Sequence, residues 1–145
     1  MSYWDTSALG KLYFPEPDSA DFVQKASVDP AIATTRLALY EMRRIAFRKE
    51  SEGFIQAGTA ESVLAQVDQD VAAGQIRIVG MDARVEAEFN IIMAICYRHA
   101  PPLPVRTLDA LHLASARIDH QSELVATDKR MRDAAKLLGV SVFPV

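Results

Sequence analysis

The sequence predicts a single α/β domain over residues 1–145, with a central parallel sheet of about five strands and helices on both faces. Three observations carry that expectation. Short β-like runs alternate with longer helical runs along the whole chain. No repeat, low-complexity tract or linker interrupts the alternation. The length, 145 residues, suits one sizeable core and is short for two.

The elements follow in order. Residues 2–4, "SYW", form a first strand that ends at Asp5. "TSALGKLYF" (6–14) reads as a helix stopped by Pro15 and Pro17. "DSADFVQKAS" (18–27) is a second helix, with Asp18 or Ser19 as its cap. "AIAT" (31–34) is a second strand. Thr35 then caps "RLALYEMRRIAFRKESEG" (36–53), where Leu37, Glu41, Arg44, Ile45 and Arg48 share helical spacing. "TAESVLAQVDQDVAAG" (59–74) is a helix closed by Gly74. "QIRIV" (75–79) is a third strand, and Asp82 caps the long helix "ARVEAEFNIIMAICYRHA" (83–100). The stiff segment "PPLPV" leads into "TLDALHLASA" (107–116), a helix apolar on nearly every side that nevertheless carries Asp109 in its first turn. "ELVAT" (123–127) is a fourth strand, and Asp128 follows it. "KRMRDAAKLLG" (129–139) is a last helix, and "VSVFPV" (140–145) a fifth strand.

Composition narrows the function classes. Half the residues are hydrophobic and 24% charged, as in ordinary globular proteins. No signal pattern or transmembrane run is present, so no membrane role is expected. The single cysteine, Cys96, lies in the apolar run "FNIIMAIC" and reads as a small core residue. One cysteine forms no internal disulfide, which fits a reducing compartment, and the cytoplasm is the expected location. The net charge of −3 argues at first sight against a polyanionic partner, but that depends on where the acids lie.

In parallel α/β sheets, function collects at the carboxyl ends of the strands. Asp5 ends strand one, Glu41 lies about two turns into the helix after strand two, Asp109 opens the buried-looking helix, and Asp128 ends strand four. All four can reach one edge of one sheet. Each alone has a bland explanation. An aspartate after a strand often caps a helix, worth about 1 kcal/mol. Asp109 can complement a helix dipole, and Glu41 can pair with Arg44 or Arg48 on a solvated face. Together they are harder to dismiss, because two like charges 4 Å apart cost about 4 kcal/mol at an effective dielectric of ~20. Four converging carboxylates call for a cation or raised pKa values. Oxygen ligands alone point to Mg²⁺ or Mn²⁺. Zinc is disfavoured, since His99, His112 and His120 show no zinc-ligand spacing. His112, one turn after Asp109, can touch the site, but packing is the favoured role for it.

The motifs "YWDTSALGKLY", "LALYEMRRIAFR", "RTLDALHLASA" and "LVATDKRM" occur in the order and spacing of PIN domains, and the chain most resembles their VapC-type toxins. The resemblance covers essentially the whole chain, with minor departures such as Trp4 in the first strand. It implies an endoribonuclease dependent on Mg²⁺ or Mn²⁺, with Asp5, Glu41, Asp109 and Asp128 as metal-holding, catalytic acids. It also implies a hydroxyl beside the metal at Ser7. The ion so held would activate water for attack on an RNA phosphodiester. A homodimer and a small VapB-type antitoxin that blocks the site are implied as partners. The segments "SALGKLYF", "ADFVQKA" and "LALYEMRRIAF" are candidates for the antitoxin groove.

With the four acids set aside, 15 acids remain against 16 Lys and Arg. Basic residues also flank the acids, and Arg44, Arg48, Arg106 and Lys129 are the candidates for holding substrate phosphates. Other classes fit less well. A dehalogenase-type phosphatase needs a second acid two residues after Asp5, where Ser7 stands. A non-catalytic RNA-binding module does not need all four acids. A housekeeping RNA-processing nuclease of the same family is the nearest alternative to a toxin.

Overall fold

Tyr3 and Trp4 point to opposite faces of the first strand, as consecutive strand residues must, and they divide the core in two. The computed structural model describes residues 1–145. The elements are β1 (Ser2–Trp4), α1 (Thr6–Gly10), α2 (Ser19–Val28), β2 (Ile32–Thr35), α3 (Arg36–Ser51), α4 (Thr59–Ala72), β3 (Ile76–Val79), α5 (Ala83–Arg98), α6 (Thr107–Ile118), β4 (Glu123–Val125), α7 (Lys129–Leu137) and β5 (Ser141–Phe143). The five strands form one sheet in the order β3-β2-β1-β4-β5, and every pair is parallel. Tyr3, Ala33, Val79 and Leu124 face the core shared with α5, α6 and α7. Trp4, Ile32, Ile76 and Val125 face the core shared with α1 to α4. Cys96 is fully buried in the first of these cores.

The strand order places a topological switch between β1 and β4. From β1 the chain steps outward to β2 and β3, then returns to the other side of β1 as β4. Crossovers leave β1 and β4 toward opposite faces at that point, and a crevice opens beyond their carboxyl ends. The backbone N–H of Asp5 donates to the carbonyl of Val125 at 3.1 Å, tying the two strand ends together there.

Three local expectations need correction. The first helix is shorter than residues 6–14. After Gly10 the chain tightens into turns, with Leu12 N–H on Leu9 O, Tyr13 N–H on Gly10 O and Phe14 N–H on Gly10 O. Phe14 is thereby buried in the core, and the Lys11 ammonium pairs with Glu16 at 2.6 Å and Asp18 at 2.8 Å. Tertiary packing thus overrides helix propensity there. The second strand is shifted by one residue, and it takes Thr35 into β2. Thr35 stands at the head of α3 but makes no side-chain capping bond, and its buried hydroxyl has no partner. Asp18 likewise heads α2 without a side-chain cap bond, whereas Asp82 caps α5 as expected through the N–H groups of Arg84 and Val85.

Candidate active site

Asp5 leaves β1 directly and Asp128 lies three residues beyond β4, so the two flank the switch-point crevice. Glu41 enters from the second turn of α3 and Asp109 from the first turn of α6. All four line one pocket of about 280 Å³. Four acids from four distant parts of the chain therefore meet at one place.

In three of the four acids, one carboxylate oxygen is anchored by the fold. Asp5 is 5% exposed, and its Oδ1 accepts the N–H of Ala8 at 2.9 Å, capping α1. The Ser7 hydroxyl lies 2.9 Å from both Asp5 oxygens and itself accepts from Thr127 Oγ1 at 2.9 Å. Asp128 Oδ1 accepts the N–H of Met131 at 3.0 Å, capping α7. Capping a helix takes only Oδ1 of each aspartate, while Asp5 Oδ2 meets the Ser7 hydroxyl and Asp128 Oδ2 faces Arg106. Glu41 sits mid-helix, where every N–H is already used, so side chains anchor it. Thr6 Oγ1 donates to Glu41 Oε1 at 2.8 Å, and His112 Nε2 donates to the same oxygen at 2.9 Å. Glu41 pairs with neither Arg44 nor Arg48.

The packing role expected for His112 is therefore incomplete. It is buried, 2% exposed, and its Nδ1 lies 2.6 Å from the Tyr3 hydroxyl, but its other nitrogen holds a site carboxylate. The spacing of His112, one helical turn after Asp109, was the signal available in the sequence. Thr6 and Thr127 carried no comparable signal, because their contacts form only when β1, α3 and β4 are assembled.

Burial pushes the Asp5 carboxyl up to about 6, against the pull of the Ala8 N–H, and the charge of Asp109 adds to the rise. Burial also raises Glu41, but the hydrogen bonds from His112 and Thr6 outweigh it and hold that carboxyl below its ordinary value. Arg106 answers part of the remaining negative charge. Its Nε lies 3.1 Å from Asp109 Oδ2 and its Nη2 3.7 Å from Asp128 Oδ2, and its own side chain is 64% exposed.

Among the other basic candidates, Arg48 lines a second pocket of about 200 Å³ with Lys11 and Lys49. That pocket shares Ser7, Ile45 and Thr127 with the acidic one. Arg44 is exposed and lines neither. Lys129 is also outside both, and its ammonium pairs with Asp133 at 2.6 Å.

The family model described as the PIN domain matches residues 2–137. The chain belongs to the PIN-domain family. Ribonuclease VapC46 of Mycobacterium tuberculosis is 32% identical over 144 residues, covering 97% of this chain and 95% of that protein. The crystal structure of FitAcB from Neisseria gonorrhoeae shares the fold, with a TM-score of 0.71 at 20% identity over 99% of this chain and 96% of that one.

PIN-domain nucleases of the VapC type generally depend on a divalent metal. The donor set of this PIN domain fits such an ion. It offers carboxylate oxygens and hydroxyls, no thiolate, and an imidazole already engaged at both nitrogens. No three His, Cys, Asp or Glu side chains are drawn together as a finished ligand set. Asp109 and Asp128 are instead turned to Arg106. No helix of this PIN domain is long and apolar enough to cross a membrane.

Proposed function

We propose that this PIN domain is a metal-dependent endoribonuclease and the toxin of a toxin–antitoxin pair. The observation that carries the reading is the pocket at the β1–β4 switch, lined by Asp5, Glu41, Asp109 and Asp128. The 32% identity to Ribonuclease VapC46 supports RNA as the substrate. Asp5 and Asp109, together with either Glu41 or Asp128, would hold Mg²⁺ or Mn²⁺. Bound there, the ion supplies Lewis acidity, making water a nucleophile at neutral pH and neutralising charge that develops on the phosphate.

The chain's own groups do the rest. Arg106, exposed at the pocket rim, grips a non-bridging phosphate oxygen. Arg48 holds backbone phosphate in the adjoining basic pocket. Ser7, positioned by Thr127, orients the Asp5 carboxylate. A carboxylate not spent on the metal takes the proton from the attacking water. A small VapB-type antitoxin and a second copy of the chain complete the proposed assembly in the cytoplasm.

Two measurements test this. Chelation should abolish cleavage of RNA and Mg²⁺ or Mn²⁺ should restore it, while Asp5→Asn and Asp109→Asn lose most activity with unchanged far-UV circular dichroism. Cleavage by Asp5→Asn at the wild-type rate would overturn the site. For the toxin role, expression alone should arrest growth, and co-expression with a small adjacent gene should give a stable complex and rescue. Absence of arrest under every condition tried leaves a housekeeping nuclease as the better reading.

A further inference from the structure

Asp5 and Asp128 each fix one oxygen with a helix N-terminal N–H. Glu41 has no such donor, because it lies inside α3, and its side chain is 32% exposed. A long carboxylate at that position is free to swing unless other groups hold it. Two do, and both hold the same oxygen. Thr6 and His112 converge on Oε1, while Oε2 makes no hydrogen bond within the chain.

We propose that His112 is a positioning residue for Glu41, aiming Oε2 into the acidic pocket, and that Tyr3 holds the imidazole in place. This rests on the metal-dependent reading of the pocket. The geometry is over-determined around the ring. His112 lies one turn after Asp109 on α6, so the helix that delivers one acid also delivers the clamp for another. The Tyr3 hydroxyl meets Nδ1 at 2.6 Å, and the two rings pack edge-on with centroids 5.8 Å apart. Tyr3 is itself fully buried in β1, next to the strand end that carries Asp5. A carboxylate only accepts hydrogen bonds, so Nε2 donates to Glu41 whatever the charge on the ring. The clamp therefore links β1, α3 and α6, and it makes the placement of one ligand depend on the placement of two others. It is the arrangement in which outer groups orient metal ligands and set affinity.

The test compares three variants by their affinity for Mn²⁺ alone, measured by titration calorimetry, together with kcat and KM on an RNA oligonucleotide. His112→Met keeps the bulk and removes the donor. His112→Gln keeps an N–H donor near the position of Nε2. Tyr3→Phe keeps the ring and removes only the anchor. His112→Met should weaken Mn²⁺ binding about 10–100-fold, with the loss falling on kcat more than on KM. His112→Gln should recover most of that loss, and Tyr3→Phe should lie between Gln and wild type. Equal losses in His112→Gln and His112→Met would overturn the proposal, because packing alone would then explain the residue. So would wild-type affinity in His112→Met. If His112→Met does not fold, His112→Asn takes its place, since its N–H falls near the position of Nδ1 and not of Nε2. Wild-type Mn²⁺ affinity in it overturns the proposal, and a loss at unchanged metal-free Tm that His112→Gln does not share supports it. Asp5→Asn separates the two levels. Loss of Mn²⁺ binding in Asp5→Asn with none in His112→Met removes the clamp and keeps the site. Undiminished binding in Asp5→Asn removes the site, and the clamp with it.

Discussion

Burial beside other acids makes Asp5 a pH-sensitive point in the stability of the metal-free chain. Asp5 rises from its ordinary 3.8 to about 6 on folding, chiefly because burial disfavours the charged form. The folded chain then binds that proton more tightly than the unfolded chain. The stability this confers is complete below pH 3.8 and is lost as pH rises through about 6. The span corresponds to about 3 kcal/mol. Asp5→Asn deletes the charge but keeps an oxygen for the Ala8 N–H, so the α1 cap survives. With chelator present, wild type should lose Tm between pH 5 and pH 7.5 relative to Asp5→Asn. At pH 7.5 the variant should melt at or above wild type. Glu41, held below its ordinary value, works in the opposite sense on acidification, but it does so in both proteins and cancels in the comparison. If the variant melts well below wild type and keeps the full Mg²⁺-induced rise, Asp5 is a structural residue. Arg106 makes a second test, with two signs. It occupies Asp109 and Asp128 oxygens that a metal would need. Arg106→Ala should therefore bind Mn²⁺ more tightly, yet cleave RNA with kcat/KM lowered about 10-fold or more, the value of one charge-assisted phosphate contact. A variant in which both quantities fall together would leave the ion pairs with no competing role.

Helix α6 carries both Asp109 and His112, the residue bonded to Glu41, so its packing controls the pocket. Leu113 is fully buried on this helix, against the core shared with α5 and α7. Leu113→Ala should cost about 2–5 kcal/mol of stability, read by chemical denaturation. Its site side chains are untouched, so the folded fraction should still bind Mn²⁺. The element order was legible in the sequence because apolar runs of the right period are bounded by Pro, Gly and capping Asp. The four acids were legible as a set because each falls after a strand or near a helix start. The shortened α1 was not, since its cause is the burial of Phe14 and the ion pairs of Lys11 with Glu16 and Asp18. The uncapped α3 was not either, because Thr35 looks like a cap residue yet its hydroxyl is buried without a partner. His112 was legible as a residue within reach of the site, one turn after Asp109, with packing favoured as its role; its partner was not. Its contact with Glu41 spans 71 residues of sequence, and no local pattern encodes a partner that far away.

At the scale of the molecule, an acidic chain of net charge −3 separates charges of opposite sign over two adjoining pockets, which is how the proposed nuclease would accept a polyanion. Lys11, Arg48 and Lys49 line one against a single acid, Glu16, and the four acids line the other. Arg48→Ala should weaken binding of uncleaved single-stranded RNA uniformly across sequences. It should also reduce the slope of log affinity against log salt by about 0.7, as loss of one phosphate contact does. An unchanged slope would place the RNA elsewhere. The order of the sheet has one more consequence, in time. Strand β1 is made first, but its partner β4 lies about 120 residues downstream and brings Asp128 with it. At roughly 5–20 residues per second of synthesis, the central strand waits roughly 6–24 s with one edge open. The pocket has no second wall until the ribosome has passed residue 128, so the four acids cannot meet while the stretch between β1 and Asp128 is being made.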